Sequence, residues 1–157
     1  MTNGHDLPNL SFVQNMANPF LWLLTSDNLH NQVMNLNKFK MKSTIIFHNT
    51  DDKKTIQRDL INKSAFILGG FALENAIKAF LVYENPNWIS NGTLSRELRS
   101  HHLLGLQRRS KLIPYKTKYL FLLNAFECGL ESWARYPCAL SHTDSTYEEQ
   151  MTDRIWD

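Results

Sequence analysis

Apolar positions recur with a helical period in several separate stretches of this chain. Asn18-Pro19 makes a helix start, because proline is tolerated in a first turn, where its missing N–H has no partner to lose. Leu29, Val33 and Leu36 follow at helical spacing and predict a first helix within residues 19–47. Ser26-Asp27 is an alternative cap, which would leave residues 20–24 as a separate turn. The polar segment 48–53, with Asn49, Asp51 and Asp52, reads as a loop.

A second helix is predicted over residues 55–83, where Leu60, Phe66, Gly70, Leu73, Ile77 and Phe80 or Leu81 trace one buried stripe. Gly69, Gly70, Ala72, Ala76 and Ala79 thin part of its surface. Each interior glycine costs about 1 kcal/mol relative to alanine, and close approach of a neighbouring helix is the simplest compensation. Asn85-Pro86 stops the helix, since proline disfavours helical geometry in the residue before it.

Residues 86–95 read as a loop turning at Asn91-Gly92, and Ser95 can cap a third helix over 96–109. Beyond Pro114, a fourth helix is predicted over 116–133, where Tyr119, Leu122, Leu123, Phe126, Leu130 and Trp133 follow the helical repeat. Arg135-Tyr136-Pro137 breaks that pattern. Ser145 and Glu148 have capping-box spacing, and Tyr147, Met151 and Ile155 suggest a short last helix. No strand is predicted. The expected fold is therefore all-α, a four- to five-helix bundle in one domain over residues 18–157, with helices two and four as its main packed pair. Residues 1–17 show no sustained periodicity and are expected to form a loosely ordered N-terminal arm.

Composition adds bounds to this picture. The 157 residues are 43% hydrophobic and 20% charged, which fits a globular chain rather than a disordered one. A net charge of +2 argues for neither nucleic-acid nor membrane binding by itself. The charge is nevertheless uneven: residues 96–118 hold Arg96, Arg99, Arg108, Arg109, Lys111, Lys116 and Lys118 against Glu97 alone. Cys128 and Cys138 suggest neither a disulfide framework nor a metal-ligand pair. The chain opens on no signal-like segment, and its strongly apolar runs fall short of the ~20 residues a membrane span needs, so the expected location is cytoplasmic, with no membrane partner. Asn91-Gly92-Thr93 fits a glycosylation sequon but reads better as a turn.

No phosphate-binding loop, H-E-x-x-H, paired CxxC or G-x-S-x-G motif is present, and neither a metal nor a cofactor is implied. Three polar features remain. Glu74 and Lys78 sit four apart on the second helix and can pair at the rim of its buried stripe, either as an ordinary surface pair or as part of a site. His101-His102 opens the apolar part of the third helix; adjacent histidines point to different sides of a helix and make a poor metal pair. Arg135 and His142 are seven residues apart, nearly two helical turns, so a helical path would turn both to one side. Such a pair could cleave RNA without metal, the arginine steadying phosphate charge and the histidine moving the proton of the attacking 2′-hydroxyl or the leaving oxygen. Pro137 interrupts a regular path between them.

The order of three segments carries a resemblance. Phe71-Ala72-Leu73-Glu74-Asn75-Ala76-Ile77-Lys78-Ala79, His101-His102-Leu103-Leu104-Gly105-Leu106 and Trp133-Ala134-Arg135-Tyr136-Pro137 together resemble the HEPN superfamily, over about residues 64–137. The resemblance implies a small helical bundle, a homodimer, and a place in toxin–antitoxin or antiphage defence, with a cognate antitoxin or other partner protein. It implies a metal-independent endoribonuclease with an R-x(4–6)-H motif, which assigns catalysis to Arg135 and His142 in a site composed across the dimer. Arg96 with His101 or His102 has the same spacing, and Arg96, His102, Lys78 and Glu74 are the expected substrate-binding residues. Tyr136-Pro137 departs from the ribonuclease pattern, so the alternative is a non-catalytic HEPN-like module that binds a partner protein, nucleotide or RNA.

Overall fold

In the computed structural model, which describes residues 11–38, 43–48, 55–60, 63–90, 92–132, 134–136, 140–141 and 143, Asn18 caps helix α1 (Pro19–Lys38). Its Oδ1 accepts the Leu21 N–H at 3.1 Å, satisfying one of the donors that a helix start leaves open. Just before it, Phe12–Met16 makes a single wide helical turn. Phe12 and Val13 pack on the core and Ala17 is buried.

Two segments whose pattern suggested helix or loop are strands instead. β1 (Ser43–His48) and β2 (Thr55–Leu60) pair antiparallel, from Ser43 opposite Leu60 to His48 opposite Thr55. Thr44, Ile45, Ile46 and Phe47 are β-branched or aromatic, types that lose rotamer freedom in a helix and suit a pleated surface. The first helix therefore ends at Lys38, and the second, α2 (Lys63–Glu84), starts at Lys63 rather than near Thr55.

Helix α2 is the centre of the molecule. Its interior glycines lie where α4 (Leu120–Glu131) crosses: a Cβ on Gly69 would sit 2.8 Å from Phe126 Cε1, and one on Gly70 2.7 Å from Leu130 Cγ. The close approach expected from the paired glycines is present. The most extensive neighbour of α2 is nonetheless α1, not α4. The two helices run antiparallel, and the buried Ser26 hydroxyl donates to the Ala72 carbonyl at 2.8 Å. Although no unbroken apolar run approaches a span, α2 as a whole is long and apolar enough to cross a membrane, with most of that stretch buried inside the protein.

Asn85-Pro86 ends α2 as expected; both the Asn85 N–H and its side-chain amide donate to the Leu81 carbonyl. A tight hairpin follows, β3 (Ile89–Ser90) with β4 (Thr93–Leu94), and Gly92 takes φ 68°, the left-handed conformation such a turn demands. The third predicted helix is interrupted. Arg96–Arg99 forms one 3₁₀ turn, residues 100–102 are extended, and only α3 (Leu103–Arg109) is α-helical. Ser100 Oγ accepts the His102 N–H at 3.2 Å, a local bond that competes with the helical one.

Leu81, Leu98, Leu103, Leu106, Leu123 and Leu130 form the main core with Ile77, each contributing about 1.5–3 kcal/mol on full burial. Phe66 and Phe126 stack at 4.9 Å between centroids in a smaller cluster with Ala134. The described residues are thus mostly helical, with two short hairpins inserted. The short helix expected near Ser145 and Glu148 lies outside the described residues.

Candidate functional site

The i, i+4 spacing on α2 does pair Glu74 with Lys78, but the pair is buried rather than at a rim. Glu74 is 5% exposed and Lys78 3%. Taking two charges out of water costs several kcal/mol per ion unless each finds partners, and here each does. Lys78 Nζ donates to Glu74 Oε1 at 2.6 Å and lies 5.8 Å from the centroid of the Trp22 ring, within cation–π range. Trp22 is itself anchored, its indole N–H donating to the Ala17 carbonyl at 3.2 Å.

The second carboxylate oxygen of Glu74 faces outward. Oε2 lies 2.9 Å from His101 Nδ1, and the His101 side chain is 57% exposed. An ionised carboxylate only accepts, so the Nδ1–H is the donor in this contact, and Nε2 is the ring nitrogen left to exchange a proton with a substrate. A buried carboxylate that fixes the tautomer of an exposed imidazole is the arrangement from which a general base or acid works.

His102 turns the other way, toward α4. Its Nδ1 is 3.2 Å from Glu131 Oε1 and 3.7 Å from Glu127 Oε1. Glu127 Oε2 also accepts the Leu104 N–H at 2.9 Å, capping α3 from a different helix. The extended residues 100–102 are thereby clamped between α2 and α4. Among the described residues, no group of three His, Cys, Asp or Glu could hold a metal ion.

Arg135 lies in the turn after α4, exposed, with its N–H donating to the Ser132 carbonyl at 3.0 Å. The next residue fixes this turn against the start of α2: Lys63 Nζ donates to the Tyr136 carbonyl at 2.7 Å. Lys63 is eleven residues before Glu74, roughly 16 Å along the helix axis. Glu74, Lys78 and His101 therefore form one group, His102 flanks it, and the Arg135 turn is anchored at the far end of α2. Arg96 is exposed on its 3₁₀ turn, and His142 lies outside the described residues. The spacing identified Glu74 with Lys78; it singled out neither His101 as Glu74's partner nor Trp22 and Glu131. The signals for His101 were its adjacency to His102 before an apolar run, its spacing from Arg96 and its place in one of the three resembling segments.

No family model, curated protein or solved structure matches this chain.

Proposed function

We propose that this chain is a HEPN-like helical protein that cleaves RNA without a metal, with His101 as a proton-transfer group oriented by Glu74. The observation that carries this reading is the exposed imidazole resting on a buried, ion-paired carboxylate. In the proposed reaction His101 Nε2 takes the proton of a ribose 2′-hydroxyl, whose oxygen bonds to the adjacent phosphorus as the P–O5′ bond breaks; the leaving 5′-oxygen takes a proton from water, and a 2′,3′-cyclic phosphate remains. An arginine steadies the charge that develops on the phosphoryl oxygens. Arg96, with four residues between it and His101 as R-x(4–6)-H requires, and Arg135, paired by the same spacing with His142, are the two candidates. A toxin- or antiphage-type role in the cytoplasm, with a cognate antitoxin, belongs to the same reading.

The test is incubation of purified protein with total RNA in the presence of chelator. His101→Ala should lower cleavage by about 10²–10⁴-fold, and comparing Arg96→Ala with Arg135→Ala and His142→Ala assigns the phosphate-side group. Cleavage by His101→Ala at the wild-type rate would sink the assigned mechanism. A second reading, a non-catalytic RNA-binding module, draws on the exposed Arg108 and Arg109 in the last turn of α3 and Lys111, Lys116 and Lys118 between α3 and α4. Saturable binding that weakens steeply with salt, with no strand scission, would favour it.

A further inference from the structure

The proposed chemistry uses Glu74 and His101 but leaves the third charged group of the cluster without a role. Lys78 is 3% exposed, so its charge acts on a bound substrate only through Glu74. A buried ion pair is often no better for stability than apolar groups of the same size, so packing alone does not call for a lysine here. The three groups are linked in a line. Lys78 Nζ donates to Glu74 Oε1 at 2.6 Å, and Glu74 Oε2 lies 2.9 Å from His101 Nδ1. Trp22 stands over Lys78, with 5.8 Å between Nζ and the ring centroid. Among the described residues, the other charged groups nearby turn elsewhere. Glu127 and Glu131 of α4 face His102, the Arg99 guanidinium donates to the Leu94 carbonyl, and Arg96 and Arg109 lie near Glu97.

We infer that Lys78 is a positioning residue that decides which nitrogen of His101 is free to take a proton. With Lys78 protonated and Glu74 ionised, the pair is neutral as a unit. A neutral His101 then puts its one N–H on Nδ1, against the carboxylate, and Nε2 is bare. Without the ammonium, Glu74 is a buried carboxylate with no cation of its own, and such a group takes up a proton rather than stay charged. That proton lies between Glu74 Oε2 and His101 Nδ1. In one form a neutral carboxyl donates to Nδ1, and the ring carries its own hydrogen on Nε2. In the other the carboxylate accepts from a doubly protonated ring. Nε2 bears a hydrogen in both, so His101 loses its free nitrogen. The buried lysine thus stands in for a proton that would otherwise occupy the base. This assignment follows from the geometry of the three groups; only its consequence for rate rests on the RNA-cleavage reading.

Nitrogen NMR of the histidine rings over a pH series, on the full chain without RNA, tests this, with the His101 signals assigned from a His101→Gln variant. The neutral ring of wild-type His101 should carry its hydrogen on Nδ1. A ring that carries it on Nε2 overturns the inference, and that result needs no change at Lys78. In Lys78→Met, checked for its helices by circular dichroism, the pH at which Nε2 gives up its proton should rise by about one unit or more. Glu74→Leu combined with Lys78→Met removes both charges together and should bring that pH back down. An unchanged titration in a folded Lys78→Met would reduce Lys78 to a packing residue. In the cleavage assay the acid limb of the pH–rate profile should move up with the titration while KM stays the same. Because the titration is read without RNA, a failure of this inference and a failure of the cleavage reading are told apart.

Discussion

The Glu74 carboxylate serves two partners that differ in burial, and a double-mutant cycle can separate their energetic roles. Lys78 is sealed under Trp22, whereas His101 opens to solvent. Removing one member of a buried pair leaves an uncompensated charge at a cost of about 3–5 kcal/mol, while replacing both by apolar groups of similar size can be nearly neutral. Lys78→Met alone should therefore destabilise the fold by roughly that amount. Glu74→Leu combined with Lys78→Met should recover most of it, measured by chemical denaturation. A double variant that loses the sum of the two single losses would mean that the pair is not energetically coupled. The spacing made this pair legible, because residues four apart share a helix face. Its burial was not legible: that depends on Trp22, which arrives from α1 more than fifty residues earlier in the chain.

At the scale of elements, the glycine pair and the end of α2 make separate predictions. An alanine at Gly70 gains about 1 kcal/mol of helix propensity but drives its methyl against the branch point of Leu130. Overpacking typically costs about 1–3 kcal/mol, so Gly70→Ala should be net destabilising in a denaturant titration. Gly69→Ala should cost less, because it meets only the edge of the half-buried Phe126 ring, which can turn aside.

Glu84 stands at the C-terminus of α2, where the helix dipole disfavours an anion. Burial raises its carboxyl pKa, but the Lys111 N–H, Ser110 hydroxyl and Leu112 N–H, with the Lys111 charge, outweigh that and hold it below its ordinary value. A carboxyl lowered in the folded state adds stability that is complete above its unfolded pKa and is lost as pH falls through the folded one. Glu84→Gln should thus be destabilising near neutral pH, by no more than about 1 kcal/mol because solvent screens this largely exposed carboxylate. Its Tm difference from wild type should shrink progressively as the medium is acidified, and a difference independent of pH would contradict the assignment.

Long periodic elements such as α2 and α4 were legible in the sequence, as was the turn at Gly92. The pairing of β1 with β2 was not, because so short an apolar run as Ile45-Ile46-Phe47 is ambiguous between helix and strand. The split third helix was missed for a different reason. The local Ser100–His102 bond works together with contacts from His101 to Glu74 on α2 and from His102 to Glu131 on α4, and those contacts exist only in three dimensions.

For the whole molecule, cleavage over a dilution series tells how many chains the proposed chemistry needs. Glu74 and His101 meet within one chain, and a site complete in one chain keeps its activity per chain at every concentration. A site composed across two copies loses activity as the copies dissociate, in step with the mass read by sedimentation equilibrium. The His101 mechanism with Arg96 from the same chain predicts cleavage proportional to chain concentration. A loss in step with a falling mass would instead assign the phosphate-side arginine to a partner copy.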